Sequence, residues 1–246
     1  MKSSQKKFAS FISLTFSLFI SSSCSIRSDY SFSSDKVGES KPLVLTTFTV
    51  LADMARNVAG NRLDVNSITK PGAEIHGYQP TPSDLIKASK ADLIIENGLG
   101  LELWSKKFTA AAGDIETVVL SDGIQPLLID GDVYSGKPNP HAWMSPQKAI
   151  IYVDRLQEAF SRLDPEGANQ YRKNASIYKN KLIELDLDLR ATLSTIPKGK
   201  RVLVTCEGAF SYLANDYGME EAYLWPVNAE SQVTPKRMLR LIDLVK

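Results

Sequence analysis

The stretch LVLTTFTVLADMARNVAGNRLDVNSI, residues 43–68, decides the fold. Its first residues, Leu43 to Thr47, are apolar and β-branched, which is typical of a buried strand. From Val50 to Val58 the apolar residues recur at helical spacing, and Gly60 ends that pattern. Strand character then returns from Leu63 to Ile68. A strand, a helix and a second strand in such close succession predict a parallel βαβ unit.

The same alternation continues on both sides of one long helical segment. Strand patterns at 91–96 and 117–120 alternate with helical patterns, and the order resumes after the long segment. That segment runs from Pro165 to about Thr195, and a helix of this length reaches roughly 45 Å. We therefore predict an α/β fold in which two lobes with mostly parallel sheets are joined by a single long rigid helix. The expected divisions are a first lobe at 43–164, a linker helix at 165–196 and a second lobe at 197–246.

The N-terminal residues differ in kind from the rest of the chain. Three lysines precede a short apolar stretch at 8–20, and small residues then lead to Cys24. This order predicts a secretory signal peptide at 1–23. The small residues before Cys24 resemble a bacterial lipoprotein signal, which favours lipidation of Cys24 over ordinary signal cleavage beside an incidental cysteine. Residues 24–42 are rich in serine and charge, which predicts a flexible tether. We therefore expect an exported protein, in the periplasm or on the outer face of the cytoplasmic membrane, held by a lipid anchor.

The composition argues against several classes of function. The formal net charge is +1, and loss of the signal peptide, which carries three lysines and no acid, changes it to −2. A nearly neutral chain lacks the basic surface that binds polyanions, so we expect no nucleic-acid partner. The sequence also has no glycine-rich phosphate loop, nucleophile elbow or HExxH motif.

The chain has only two histidines, and each lies in a proline-containing loop motif. His76 is in GAEIHGYQPTPSD (72–84), and His141 is in NPHAWMSP (139–146). A third motif, VLVTCEGAF, places Glu207 at the end of a strand pattern. Two imidazoles and a carboxylate suit a divalent metal ion, and ligands of parallel sheets collect at the carboxyl ends of the strands. Spacing alone leaves equally open that each histidine is an ordinary packed or surface residue.

These motifs, together with VTCEGAFSYLANDYGM and WPVNAESQVTP, resemble segments of the metal-specific solute-binding lipoproteins of bacterial ABC importers. The resemblance covers about residues 41–246. It implies that His76 and His141 bind the ion from the first lobe and that Glu207 binds it from the second. It further implies that the chain is a monomer without enzymatic activity, which captures a divalent metal ion and delivers it to an ABC membrane permease.

The resemblance also bears on the ion and on a fourth ligand. Zinc-specific relatives usually carry a histidine at the place of Glu207 and a long acidic, histidine-rich loop, which this sequence lacks. Manganese is therefore the favoured cargo, with iron or zinc as alternatives. The fourth ligand of the family, an aspartate, would lie beyond Lys246, so the resemblance implies a C-terminally truncated chain with an incomplete second lobe. The alternative is a chain that binds the ion with three ligands and water. Because imidazole must be neutral to bind metal, affinity should fall as the pH drops through roughly 6.5.

Two other classes of function remain open from the sequence. A metal-dependent hydrolase would use the same ligands together with an open coordination position and a nearby base. A surface adhesin would need only the anchor and an exposed interaction face. Cys206, next to Glu207, is expected to be a buried packing residue rather than a soft extra ligand.

Overall fold

The computed structural model of the chain describes residues 40–113, 115–130, 134–227 and 233–246. The predicted signal peptide at 1–23, the predicted lipidation site Cys24 and nearly all of the predicted tether lie outside these ranges. Residues Ser40–Lys246 form one compact unit. Within the described ranges, no helix is both long enough and apolar enough to cross a membrane.

A four-stranded parallel sheet flanked by helices forms the first lobe, as the βα alternation predicts. The strand order is β2-β1-β3-β4, with every neighbouring pair parallel. The elements are β1 (Leu43–Thr46), α1 (Thr49–Ala59), β2 (Asp64–Ser67), α2 (Pro82–Ala88), β3 (Leu93–Glu96), α3 (Ser105–Ala112), β4 (Thr117–Val119) and α4 (Pro146–Leu163).

Neighbouring residues of the central strands pack into different cores, one on each face of this sheet. In β1, Val44 belongs to the core under α1 and α4, and Leu45 belongs to the core under α2 and α3. In β3, Ile95 and Ile94 divide in the same way. Successive side chains of a strand point to opposite faces, so an uninterrupted apolar run is what a sheet covered on both sides requires.

The long helix α5 (Ala168–Ser194) has 27 residues, so it is about 40 Å long. Its first half packs on the first lobe through Tyr171 and Ala175, which are buried in the same core as α1 and α4. Tyr178 and Leu182, farther along the helix, also pack against this core. One face of α5 therefore packs against this core from Tyr171 to Leu182.

The second lobe consists of β5 (Val202–Glu207), α6 (Ser211–Asp216), β6 (Glu220–Trp225) and α7 (Pro235–Val245). The two strands pair in parallel. Cys206 is exposed, which contradicts the expectation that it is buried. It lies on the same face of β5 as Val204, which is 47% exposed, and the described residues leave that face open.

Helix α6 joins the second lobe to the first. Tyr212 is 1% exposed and belongs to the first-lobe core. Its hydroxyl donates to the carbonyl of Asn139, 2.8 Å away, and accepts from the backbone N–H of Leu127. Near the end of α6, Asp216 accepts a hydrogen bond from Ser145, the N-cap residue of α4. These contacts hold α6, which follows β5 in the chain, against the segment that carries His141.

Candidate metal centre

His76 lies in the loop between β2 and α2, and hydrogen bonds fix this loop on both sides of the histidine. Before it, the indole Nε1 of Trp104 donates to the carbonyl oxygen of Ile75 at 2.9 Å. After it, the hydroxyl of Tyr78 donates to the Asp84 carboxylate at 2.9 Å. Asp84 in turn accepts from the backbone of Thr81, and this reciprocal capping box begins α2. The PTPSD part of the motif therefore holds the histidine loop in place.

We predict that the substitution Thr81→Ala weakens metal binding through this loop. Loss of an N-cap side chain costs about 1 kcal/mol of folding stability. The matched control is Thr234→Ala, because Thr234 caps α7 through the same type of bond. Urea unfolding should give similar losses for both variants, whereas isothermal titration should show reduced metal affinity for Thr81→Ala alone. Equal affinities in the two variants would contradict the prediction.

His141 lies in the loop between β4 and α4 and is 3% exposed. The residue before it, Pro140, has its carbonyl held by the side-chain amide of Asn97 at 3.0 Å. The hydroxyl of Tyr152 donates to the other end of that amide at 2.6 Å. The ring of Trp143 lies against the imidazole, with 5.2 Å between the ring centroids. The imidazole is therefore enclosed, and a hydrogen bond from Asn97 holds the backbone that precedes it.

Glu207 is the last residue of β5, and Gly208 follows it in a confined position. A Cβ atom at residue 208 would lie 2.9 Å from the carbonyl oxygen of Pro226 and 3.0 Å from the ring of Tyr223. The N–H of Gly208 donates to that same Pro226 carbonyl. Only glycine allows this close approach without movement of the backbone, so the strand end that positions Glu207 has little freedom.

The three predicted ligand residues come together, although they belong to separate segments of the chain. Oε1 of Glu207 lies 3.5 Å from Nε2 of His76 and 3.7 Å from Nε2 of His141. One potential donor atom from each residue lies within 4.8 Å of the other two. An ion about 2.1 Å from two tetrahedrally arranged donors holds them about 3.4 Å apart. The two glutamate–histidine distances are therefore within a few tenths of an ångström of the separation that a shared ion requires.

The electrostatics keep the imidazole of His141 neutral. Burial lowers the pKa of His141 to about 4, and the nearby Glu207 carboxylate opposes this change only partly. A neutral imidazole has a free lone pair for a metal ion at neutral pH. The site therefore combines two nitrogen donors with a carboxylate oxygen.

Within the described ranges, no further histidine, cysteine or acidic residue joins this group. Cys206 does not, because adjacent residues of a strand point to opposite faces. Two residues that contact the ligands were not identified from the sequence, although both lie in the quoted motifs. Glu74 accepts from the backbone N–H of His76 at 2.8 Å, and Asn139 contacts His141. The sequence does show a polar side chain two residues before each histidine, and this pattern could have indicated a residue that supports the histidine.

Comparisons with known proteins agree on the family. The model of the family ZnuA, described as zinc-uptake complex component A periplasmic, matches residues 44–246. The chain is 52% identical over 203 residues to the iron-binding protein YfeA of Yersinia pestis, a match that covers 82% of this chain and 65% of YfeA. It is 34% identical over 253 residues to the manganese ABC transporter substrate-binding lipoprotein PsaA of Streptococcus pneumoniae, covering 100% of this chain and 79% of PsaA.

A solved structure gives the same result for the fold. The chain matches a manganese-bound periplasmic metal-binding protein from Candidatus Liberibacter asiaticus with a TM-score of 0.76 and 36% sequence identity. That match covers 82% of this chain and 75% of the other. An α/β fold with parallel sheets and a long helix is therefore shared with periplasmic metal-binding proteins.

Proposed function

We propose that this chain, which belongs to the ZnuA family of periplasmic zinc-uptake components, binds one divalent transition metal ion between His76, His141 and Glu207. The convergence of these three side chains carries the proposal, because their donor atoms lie within 4.8 Å of one another. The relatives are named for metal binding and metal transport. The ion is cargo in this proposal, and the chain releases it to the membrane permease of an ABC importer.

We propose manganese as the main cargo, with iron or zinc as alternatives. A carboxylate oxygen beside two imidazoles suits a hard, weakly bound ion better than a thiolate set does. The same donors would bind Zn²⁺ more tightly than Mn²⁺ if geometry imposed no constraint. Selection of manganese would therefore depend on how rigidly the two lobes hold the donors, and the confined end of β5 and the enclosed His141 loop favour such rigidity.

The remaining features of the proposal concern position in the cell and organisation. We propose that the mature chain begins at a lipidated Cys24 and acts as a monomer at the outer face of the cytoplasmic membrane. We also propose a functional division into a first lobe (43–164), a linker helix (165–196) and a second lobe (197–246). The helix α5 packs on the first lobe, and its Asp186 accepts a hydrogen bond from Tyr217 of the second lobe, which supports its role as the link between them.

Thermal unfolding with metal ions tests the proposal directly. A ligand that binds only the folded state adds about 2.7 kcal/mol to the free energy of unfolding at 100 times its dissociation constant. We expect Mn²⁺, Fe²⁺ and Zn²⁺ each to raise the melting temperature of the metal-free chain, and Mg²⁺ to leave it unchanged. Titration calorimetry should give one ion per chain. A chain whose melting temperature responds to none of the three ions would contradict the proposed function.

A further inference from the structure

Asn139 lies at the junction of the two lobes and is 3% exposed. Its side-chain oxygen Oδ1 accepts the backbone N–H of His141 at 3.0 Å and lies 2.9 Å from the ring nitrogen Nδ1 of His141. Its side-chain nitrogen Nδ2 donates to the carbonyl oxygen of Gly208 at 2.7 Å and to the hydroxyl of Ser211 at 3.0 Å. One amide therefore contacts a proposed ligand of the first lobe and the residue after the proposed ligand of the second.

These contacts fix the orientation of the amide. A carbonyl oxygen only accepts hydrogen bonds, so the atom of Asn139 that faces Gly208 must be the NH₂ group. The amide oxygen must then face His141. Because that oxygen can only accept, Nδ1 of His141 must carry the proton. The lone pair of the neutral ring is then on Nε2, the nitrogen that lies 3.7 Å from Oε1 of Glu207.

From this chain of contacts we infer that Asn139 is a positioning residue, which selects the metal-binding tautomer of His141 and holds its ring toward Glu207. This inference rests on the proposed metal-binding function of the same site. Asparagine suits the position because its side chain both donates and accepts. His76 has no equivalent support, since its Nδ1 is buried and no described residue hydrogen-bonds to it. Among the described residues, a side-chain contact therefore sets the tautomer of His141 but not that of His76.

The tautomer can be read in the metal-free protein by two-bond ¹H–¹⁵N NMR of the imidazole rings. The chain has only two histidines, so His76→Gln leaves the signals of His141 alone. We expect Nδ1 to be protonated and Nε2 to be unprotonated in that variant. A spectrum with the proton on Nε2 would overturn the inference. This measurement needs no metal, so it stands even if the proposed metal-binding function fails.

Variants of Asn139 then connect the tautomer to metal binding. Asn139→Ala removes the acceptor, so the ring should become a mixture of tautomers and manganese should bind about 10–100-fold more weakly. Asn139→Asp keeps an oxygen facing Nδ1 but loses the donor to the carbonyl of Gly208, so it should restore the Nδ1–H tautomer and recover part of that affinity. The matched control is Asn57→Ala, because Asn57 makes its side-chain hydrogen bonds within α1, away from the site.

The tautomer of His141 and the affinity for manganese must change together in the Asn139 variants. If Asn139→Ala altered the tautomer without weakening manganese binding, or weakened binding without altering the tautomer, the inference would be overturned. A purely structural role for Asn139 predicts equal losses in Asn139→Ala and Asn139→Asp. Should Asn139→Ala fail to fold, the spectrum of His76→Gln and the comparison of Asn139→Asp with the unsubstituted chain still decide the question.

Discussion

The substitution Glu207→Gln should weaken manganese binding by more than about 100-fold. Residues that only support a metal ligand already contribute 10–100-fold to affinity, and Glu207 supplies the one carboxylate of the group. At a manganese concentration 100 times the dissociation constant of the unsubstituted chain, that chain gains about 2.7 kcal/mol of stability. The variant would then be at or below its own dissociation constant and would gain at most about 0.4 kcal/mol. Thermal melts with and without manganese measure the difference.

The control for this experiment is Glu220→Gln. Glu220 is exposed at the start of β6, so the same chemical change is made on the neighbouring strand, away from the donor atoms. Its manganese-dependent stabilisation should equal that of the unsubstituted chain. Melts in the presence of a chelator should show that both variants fold. If Glu207→Gln kept the full stabilisation, Glu207 would not be a ligand.

The metal-free chain should lose stability as the pH falls from about 6.5 to about 4. Burial lowers the pKa of His141 from its ordinary value of 6.5 to about 4. Between these values the unfolded chain takes up a proton at this residue and the folded chain does not, so acid favours unfolding. The shift corresponds to about 3 kcal/mol across the window. Urea unfolding at several pH values, with a chelator present, measures this slope.

Comparison with His141→Gln isolates the contribution of this residue, because glutamine does not titrate. Other buried groups also titrate in acid, and burial raises the pKa of Glu102 and Glu221. Those groups are unchanged in the variant, so only the difference between the two slopes is assigned to His141. Identical slopes would contradict the prediction. Because His141 stays neutral to a lower pH in the fold, its protonation should weaken metal binding only below the pH of about 6.5 expected for an ordinary histidine.

The sequence predicts most of the elements because their signals are local. Thr81, Ser145 and Thr234 each precede a proline that opens a helix, and all three are N-caps in the structure. Helical spacing of apolar residues begins at Leu101 in the sequence, but α3 begins at Ser105. The carboxylate of Glu102 instead accepts the backbone N–H groups of Asn97 and Gly98. Such a bond from a side chain to the backbone of the preceding loop has no signature in helical periodicity.

The candidate site was predicted in part. The family motifs identify His76, His141 and Glu207, and their donor atoms converge in the fold. The role inferred for Asn139 depends on which atom faces Gly208, 69 positions later in the chain. The exposure of Cys206 likewise depends on what covers one face of β5. Neither fact follows from the residues adjacent in sequence, because both are set by contacts between segments far apart in the chain.

Solvent reaches the three proposed ligands unequally, and under the proposed function this inequality gives ion exchange an order. The side chain of Glu207 is 29% exposed, whereas those of His76 and His141 are 10% and 4% exposed. An ion bound as we propose would contact the carboxylate of Glu207 first and exchange its remaining water for the imidazoles afterwards. Release would follow the reverse order, so Glu207 would be the first ligand bound and the last one lost.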